Sequence, residues 1–190
     1  TIETPCFMPV ATQAAVKALS VSDVEHTGAR MVIMNTYHLW LRPGAELVAE
    51  LGGVHRFSGW RGHLLTDSGG YQAFSLSKLT KYTDVGVHFK SHIDGSSHLF
   101  TPESVLDIES VIGADIVMPL DDCAPYPAEE KRLWESLDRT HRWISRSFEY
   151  WREMGYDSGQ SLFGIVQGGV NPALRRESAC YLREINLPGY

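Results

Sequence analysis

Residues 62–72 read GHLLTDSGGYQ, and the character of the chain changes abruptly at Asp67. A short apolar run, Gly62–Thr66, ends in an acid, a hydroxyl, two glycines, an aromatic ring and an amide. Three other runs behave the same way. Met31–Met34 (MVIM) is followed by Asn35, Thr36, Tyr37 and His38; Asp115–Leu120 (DIVMPL) by Asp121, Asp122 and Cys123; Leu162–Val166 (LFGIV) by Gln167, Gly168 and Gly169. Pro9–Thr12 (PVAT) is a weaker fifth candidate. Short apolar runs of this kind suit strands buried on both faces, as in a parallel sheet.

Helix signals lie between the runs. Thr101-Pro102-Glu103 reads as an N-cap, a first-turn proline and a first-turn acid, with Val105, Ile108 and Ile112 following at helical spacing. A longer helix is predicted from Ala128 to about Tyr150, with Leu133, Leu137 and Ile144 on one face. Asn171-Pro172 opens a last helix carrying Leu174, Tyr181 and Leu182. Val85–Phe100, which contains VHFKSHIDGSSHLF, alternates by two around Asp94-Gly95 and reads as a hairpin. Strand alternating with helix argues for an α/β fold. About five parallel strands are found, whereas a complete (βα)8 barrel typically takes about 250 residues. The chain is therefore a small open sheet or part of a barrel.

The 190 residues are 43% hydrophobic, enough for a substantial core. No apolar run approaches the length of a membrane span, and no signal peptide is seen. The first residue is Thr1 rather than Met, a start that reads as a cut from something longer. Cys6, Cys123 and Cys180 are scattered with no CxxC pair, so neither a disulfide framework nor a cysteine zinc site is indicated, and a reducing cytoplasm fits. The net charge of −6 argues against generic nucleic-acid affinity, so a polyanionic partner needs a local basic patch.

Polar groups at four strand ends would share one face, and in parallel α/β folds that face carries the active site. Each group also has a plainer reading. Asp67 serves equally as a helix cap. Gly69-Gly70 reads as an ordinary loop or an anion nest. Tyr71 reads as core before ligand platform, and Asp121-Asp122 as a solvated pair or a hard-metal site. His88 and His92 have metal-like spacing but no third ligand in view, which favours exposure. The charges over Lys131–Arg152 read as a wet helix face.

Five stretches nevertheless match one family in order: TPCFMPVATQAAVKAL, NTYHLWLRPG, LLTDSGGYQAFSLS, GADIVMPLDDCAPYP and FGIVQGG. The chain resembles the tRNA-guanine transglycosylases, or queuine tRNA-ribosyltransferases, of the bacterial and eukaryotic branches. The resemblance implies a (βα)8 TIM barrel, here an incomplete portion with about five parallel strands and an inserted β-hairpin. Residues 1–190 would form a single partial barrel domain, with the C-terminal barrel strands and the zinc subdomain absent. The implied reaction, part of queuosine biosynthesis, exchanges guanine at the tRNA wobble position for preQ1 or queuine through a covalent carboxylate–ribose intermediate. Breaking an N-glycosidic bond needs such a carboxylate, and the bases need a proton manager.

By resemblance Asp67 performs acid–base work beside the sugar and Ser68 contacts the base edge. Gly69 and Gly70 admit the ligand, and Tyr71 stacks on it. Asp121 accepts from the pyrimidine edge, Gln167 meets the base oxygen, and Cys123 lines the pocket. The nucleophile and the family's zinc ligands are expected beyond Tyr190, so zinc has no ligands in this chain and the chain alone would be inactive. The implied partners are the tRNA anticodon loop and guanine, preQ1 or queuine, with a homodimer in the complete protein and no membrane. The alternative is a non-catalytic partner subunit that keeps the pocket fold; the presence of Asp67, Asp121 and Gln167 speaks against it.

Overall fold

A computed structural model describes residues 2–76 and 79–190; Thr1, Lys78 and Ser77, the last residue of the third motif, lie outside them. Five strands form one parallel sheet: β1 (Val10–Ala11), β2 (Met31–Asn35), β3 (His63–Asp67), β7 (Ile116–Val117) and β8 (Ser161–Leu162). Three more, β4 (Lys81–Tyr82), β5 (Val87–Lys90) and β6 (Ser97–Phe100), form a separate antiparallel sheet inserted between β3 and β7. The helices are α1 (Val21–His26), α2 (Thr36–Leu41), α3 (Ala45–Glu50), α4 (Gly53–Ser58), α5 (Gly70–Leu76), α6 (Pro102–Ile112), α7 (Glu130–Glu153) and α8 (Pro172–Ile185).

The parallel strands lie in chain order once the insert is set aside, each neighbour pair parallel. This is the arrangement of a β/α barrel, traced here by five strands. Side chains alternate across the sheet. Val32, Met34, Leu64, Val117 and Leu162 pack among the helices, with Val48, Leu106, Ile144 and Leu182. Met31, Leu65 and Ile116 face the other way, against Ile33, Met118 and Phe163. β2, β3 and β7 carry apolar side chains on both faces, which is why the sequence shows continuous runs there rather than alternation. The chain's last residues come back to the sheet, where Gly164 N–H donates to the Gly189 carbonyl at 2.8 Å.

The helix signals translate directly. Thr101 caps α6 through a reciprocal box with Ser104, and Pro102 occupies the first turn. Asn171 accepts from Ala173 and Leu174 N–H at the start of α8. The Val85–Phe100 hairpin is β5–β6, with Phe89 paired to His98 and Lys90 to Ser97, and β4 adds a third strand. Val87, Phe89 and Phe100 bury the inner face of this sheet against Tyr37 and Trp143. Among the described residues no helix is long and apolar enough to cross a membrane.

Candidate active site

Asn35 ends β2 and Asp67 ends β3, and the two are register partners in adjacent parallel strands. Their side chains therefore emerge on one face, and the Asn35 amide donates to Asp67 Oδ2. Gln72 Nε2 donates to the same oxygen at 3.2 Å, and Gly69 N–H donates to Oδ1 at 3.1 Å. Asp67 thus does shape the local turn, as the capping reading held, but two of its donors come from side chains. Burial pushes its carboxyl up to about 6, although these hydrogen bonds pull the other way. The glycines that follow are dictated by space. Gly69 has φ +76°, and a Cβ there would lie 2.7 Å from Tyr37 Cβ. A Cβ on Gly70 would meet the Asp121 carbonyl at 2.7 Å.

Asp121 is only 7% exposed. Its Oδ2 accepts from Gln167 Nε2 at 2.8 Å and its Oδ1 from the Ser68 hydroxyl at 3.3 Å, while Ser68 Oγ accepts Gly70 N–H at 3.3 Å. Gln167 is itself held by its N–H donating to Ser178 Oγ of α8 at 3.0 Å. Burial first, and then the charges of Asp67 and Asp122, move the Asp121 carboxyl up to about 6 despite the Gln167 and Ser68 bonds. Two carboxyls poised near neutrality, one bonded to a carboxamide and a hydroxyl, can hold a hydrogen-bonding heterocycle and exchange protons with it.

The profile of the family described as queuine tRNA-ribosyltransferase matches residues 1–190. This chain belongs to that family. It is similar to the queuine tRNA-ribosyltransferase of Desulforamulus reducens, 53% identical over 189 residues, covering 100% of this chain and 50% of the relative. It is also similar to those of Desulforudis audaxviator, 52% identical over 100% of this chain and 50% of the relative, and Herpetosiphon aurantiacus, 52% over 100% and 47%. The chain spans about half the length of these curated relatives.

The structure gathers Asp67, Ser68, Gly69, Gly70, Asp121 and Gln167 into one cluster. Tyr71 is 57% exposed in the first turn of α5, so it is a surface ring and not a core one. Cys123 is half-buried, its thiol pushed up by burial and by the Asp121 and Asp122 charges. Asp122 is not solvated: it is 0% exposed and its two oxygens are taken by Arg132 and Arg139 of α7. Its N–H donates to Thr140 Oγ1 at 3.0 Å, and the Ser136 hydroxyl donates to its carbonyl. The α7 charges are therefore not one wet face. Arg132 and Arg139 turn inward beneath the Tyr82 ring, 5.6 and 5.9 Å from its centroid, and Arg146 pairs with Glu103.

Three contributors carry no role in the sequence reading: Asn35, Gln72 and Glu109. Asn35 was visible as a strand-end residue, but its pairing with Asp67 needed the β2–β3 register. Glu109 left a readable trace, an acid between Val105 and Ile112 on the buried stripe of α6. His88 is exposed, while His92 Nδ1 meets the Tyr37 hydroxyl at 2.9 Å. Among the described residues no three His, Cys, Asp or Glu side chains are grouped to hold a metal ion. The residues present do not fit the zinc that the family resemblance implies, and no step below passes through it. An apolar cleft of about 250 Å³ beside β1, lined by Ala11, Val32, Met34 and Trp60, has no titratable side chain on its wall.

Proposed function

We propose that this chain carries the base-reading half of a tRNA-guanine transglycosylase, which replaces guanine at the wobble position of a tRNA anticodon loop with preQ1 or queuine. The observation that carries the reading is the Ser68–Asp121–Gln167 cluster beside Asp67. The pyrimidine edge of guanine offers two N–H donors and one carbonyl. An ionised Asp121 accepts from the donors, and the Gln167 amide, which donates one N–H to Asp121, keeps its second N–H for the carbonyl. Adenine offers the opposite pattern at the same edge. Tyr71, open at the surface, supplies a stacking platform.

In the reaction a carboxylate attacks ribose C1′, the glycosidic C–N bond breaks, and the departing guanine takes a proton on its ring nitrogen. The incoming deazaguanine gives up the matching proton as its nitrogen displaces the carboxylate. Asp67, with its carboxyl near 6, suits the proton transfer in both directions. It suits the attack less well, because Asn35, Gln72 and Gly69 all donate to its oxygens. The attacking carboxylate is assigned to a part of the family protein outside these residues. On this reading the complete protein is a cytoplasmic homodimer.

The test joins residues 1–190 to the half of the Desulforamulus reducens relative that the chain does not match. The chimera should incorporate labelled guanine into a tRNA bearing guanine at the wobble position and not into one bearing adenine there. No incorporation while the intact relative is active in the same assay would contradict the proposal.

A further inference from the structure

Glu109 is 0% exposed, on the helix side of the sheet, opposite to the Asn35–Asp67 face. Its Oε1 accepts from the Thr66 hydroxyl at 3.0 Å, the Thr36 hydroxyl at 3.4 Å and Met118 N–H at 3.4 Å. Its Oε2 has no hydrogen-bond partner. Thr36 follows Asn35 at the end of β2, Thr66 precedes Asp67 in β3, and Met118 follows β7 on the way to Asp121. One carboxyl from α6 therefore touches three of the four strand ends that supply the site, the β8 end that carries Gln167 being the exception. A buried acid with an unsatisfied oxygen is an unfavourable core residue, since a hydrocarbon there would cost no desolvation. An acid at this cost on an apolar stripe points to a task other than packing.

We infer that Glu109 is a positioning residue: it ties the ends of β2, β3 and β7 from behind so that Asn35 and Asp67 stand opposed and Asp67 faces the sugar. This rests on the transglycosylase reading for what Asp67 does, but the tie itself is a matter of geometry. Asp121 has a second anchorage, because α7 grips the adjacent Asp122 through Arg132, Ser136, Arg139 and Thr140. Loosening Glu109 therefore moves Asp67 relative to the sugar and leaves the base-reading end in place. Burial pushes the Glu109 carboxyl well above the usual carboxylate range. Its Oε1 serves as an acceptor for Thr66, Thr36 and Met118, a role that a carboxamide oxygen can fill.

The experiment is made in the chimera, with kcat and the KM for guanine corrected for the folded fraction. Glu109→Leu should lower kcat by about tenfold or more, as small misplacements of a catalytic group do, with little change in KM. Glu109→Gln, which keeps the acceptor oxygen, should restore kcat to within a few-fold. Thr66→Val removes the shortest of the three bonds and nothing else, and should reproduce the kcat defect in a protein that folds. Unaltered kcat per folded molecule in both Glu109→Leu and Thr66→Val overturns the inference, as does a Gln variant as impaired as Leu. Should the unsubstituted chimera fail to exchange guanine, the activity reading falls and the tie is read by amide hydrogen exchange. Thr66→Val should then speed exchange at the β2 and β3 ends and not at Asp122, and unchanged protection at those ends refutes it.

Discussion

Replacing Asp67 by Asn should separate stability from turnover in a pH-dependent way. In the folded chain burial holds the Asp67 carboxyl at about 6, against an ordinary 3.8. The native state thus keeps this proton to higher pH than the unfolded state does. The stability tied to the protonated form is fully present below pH 4 and is lost as pH rises through 6. A shift of about two units corresponds to about 3 kcal/mol. Asn cannot titrate, so the variant escapes this loss. The difference in unfolding free energy, variant minus wild type, should rise by about 3 kcal/mol between pH 4 and pH 8. Comparing two pH values removes any constant cost of placing an amide against the Asn35 and Gln72 donors. Coupling works in the same direction, because the Asp67 charge helps to raise Asp121 and its removal eases that burden. Urea unfolding of the chimera, followed by tryptophan fluorescence at both pH values, gives the number. Guanine incorporation should vanish in the same variant. A difference that is flat or falls with pH would refute the reasoning, because Asp67 would then be an ordinary, well-solvated carboxylate.

Asp121→Asn should cut guanine exchange by about 10- to 100-fold, the cost of one charge-assisted hydrogen bond, measured as kcat/KM for labelled guanine. Removing Arg132 and Arg139 together leaves Asp122 buried without a counter-charge and should cost about 3–5 kcal/mol in urea unfolding; a loss below about 1 kcal/mol would mean that the pair is not what holds that loop. Gly69→Ala forces a Cβ against Tyr37 at a positive φ, and should lower both the melting temperature and kcat, where a tolerated alanine would show that the turn relaxes freely.

The legible part of this chain was the part written locally. Thr101-Pro102 and Asn171-Pro172 announce two helix starts because capping is settled within one turn, and both caps are formed. The change at Asp67 announces a strand end because the apolar run before it needs burial and the glycines after it do not. Asp67, Asp121 and Gln167 were visible for that reason. The pairings that hold them were not, because those run across the fold. Asn35 meets Asp67 only through a register 32 residues apart, and Thr66 meets Glu109 across 43. Arg132 and Arg139 looked like solvent-facing charges because a long side chain can turn inward from the margin of an amphipathic helix. The short helices α1 to α5 are too brief for a periodic pattern to stand out, and tertiary packing holds them.

The Ser68–Asp121–Gln167 cluster is proposed to read a guanine-like edge. Calorimetric titration of the chimera with preQ1, guanine and adenine tests it most directly, with the Asp121→Asn variant alongside. PreQ1 and guanine should bind, adenine should not, and both binders should lose about 10-fold or more in the variant. Equal affinity of wild type and variant for guanine, or adenine bound as tightly as guanine, would contradict it.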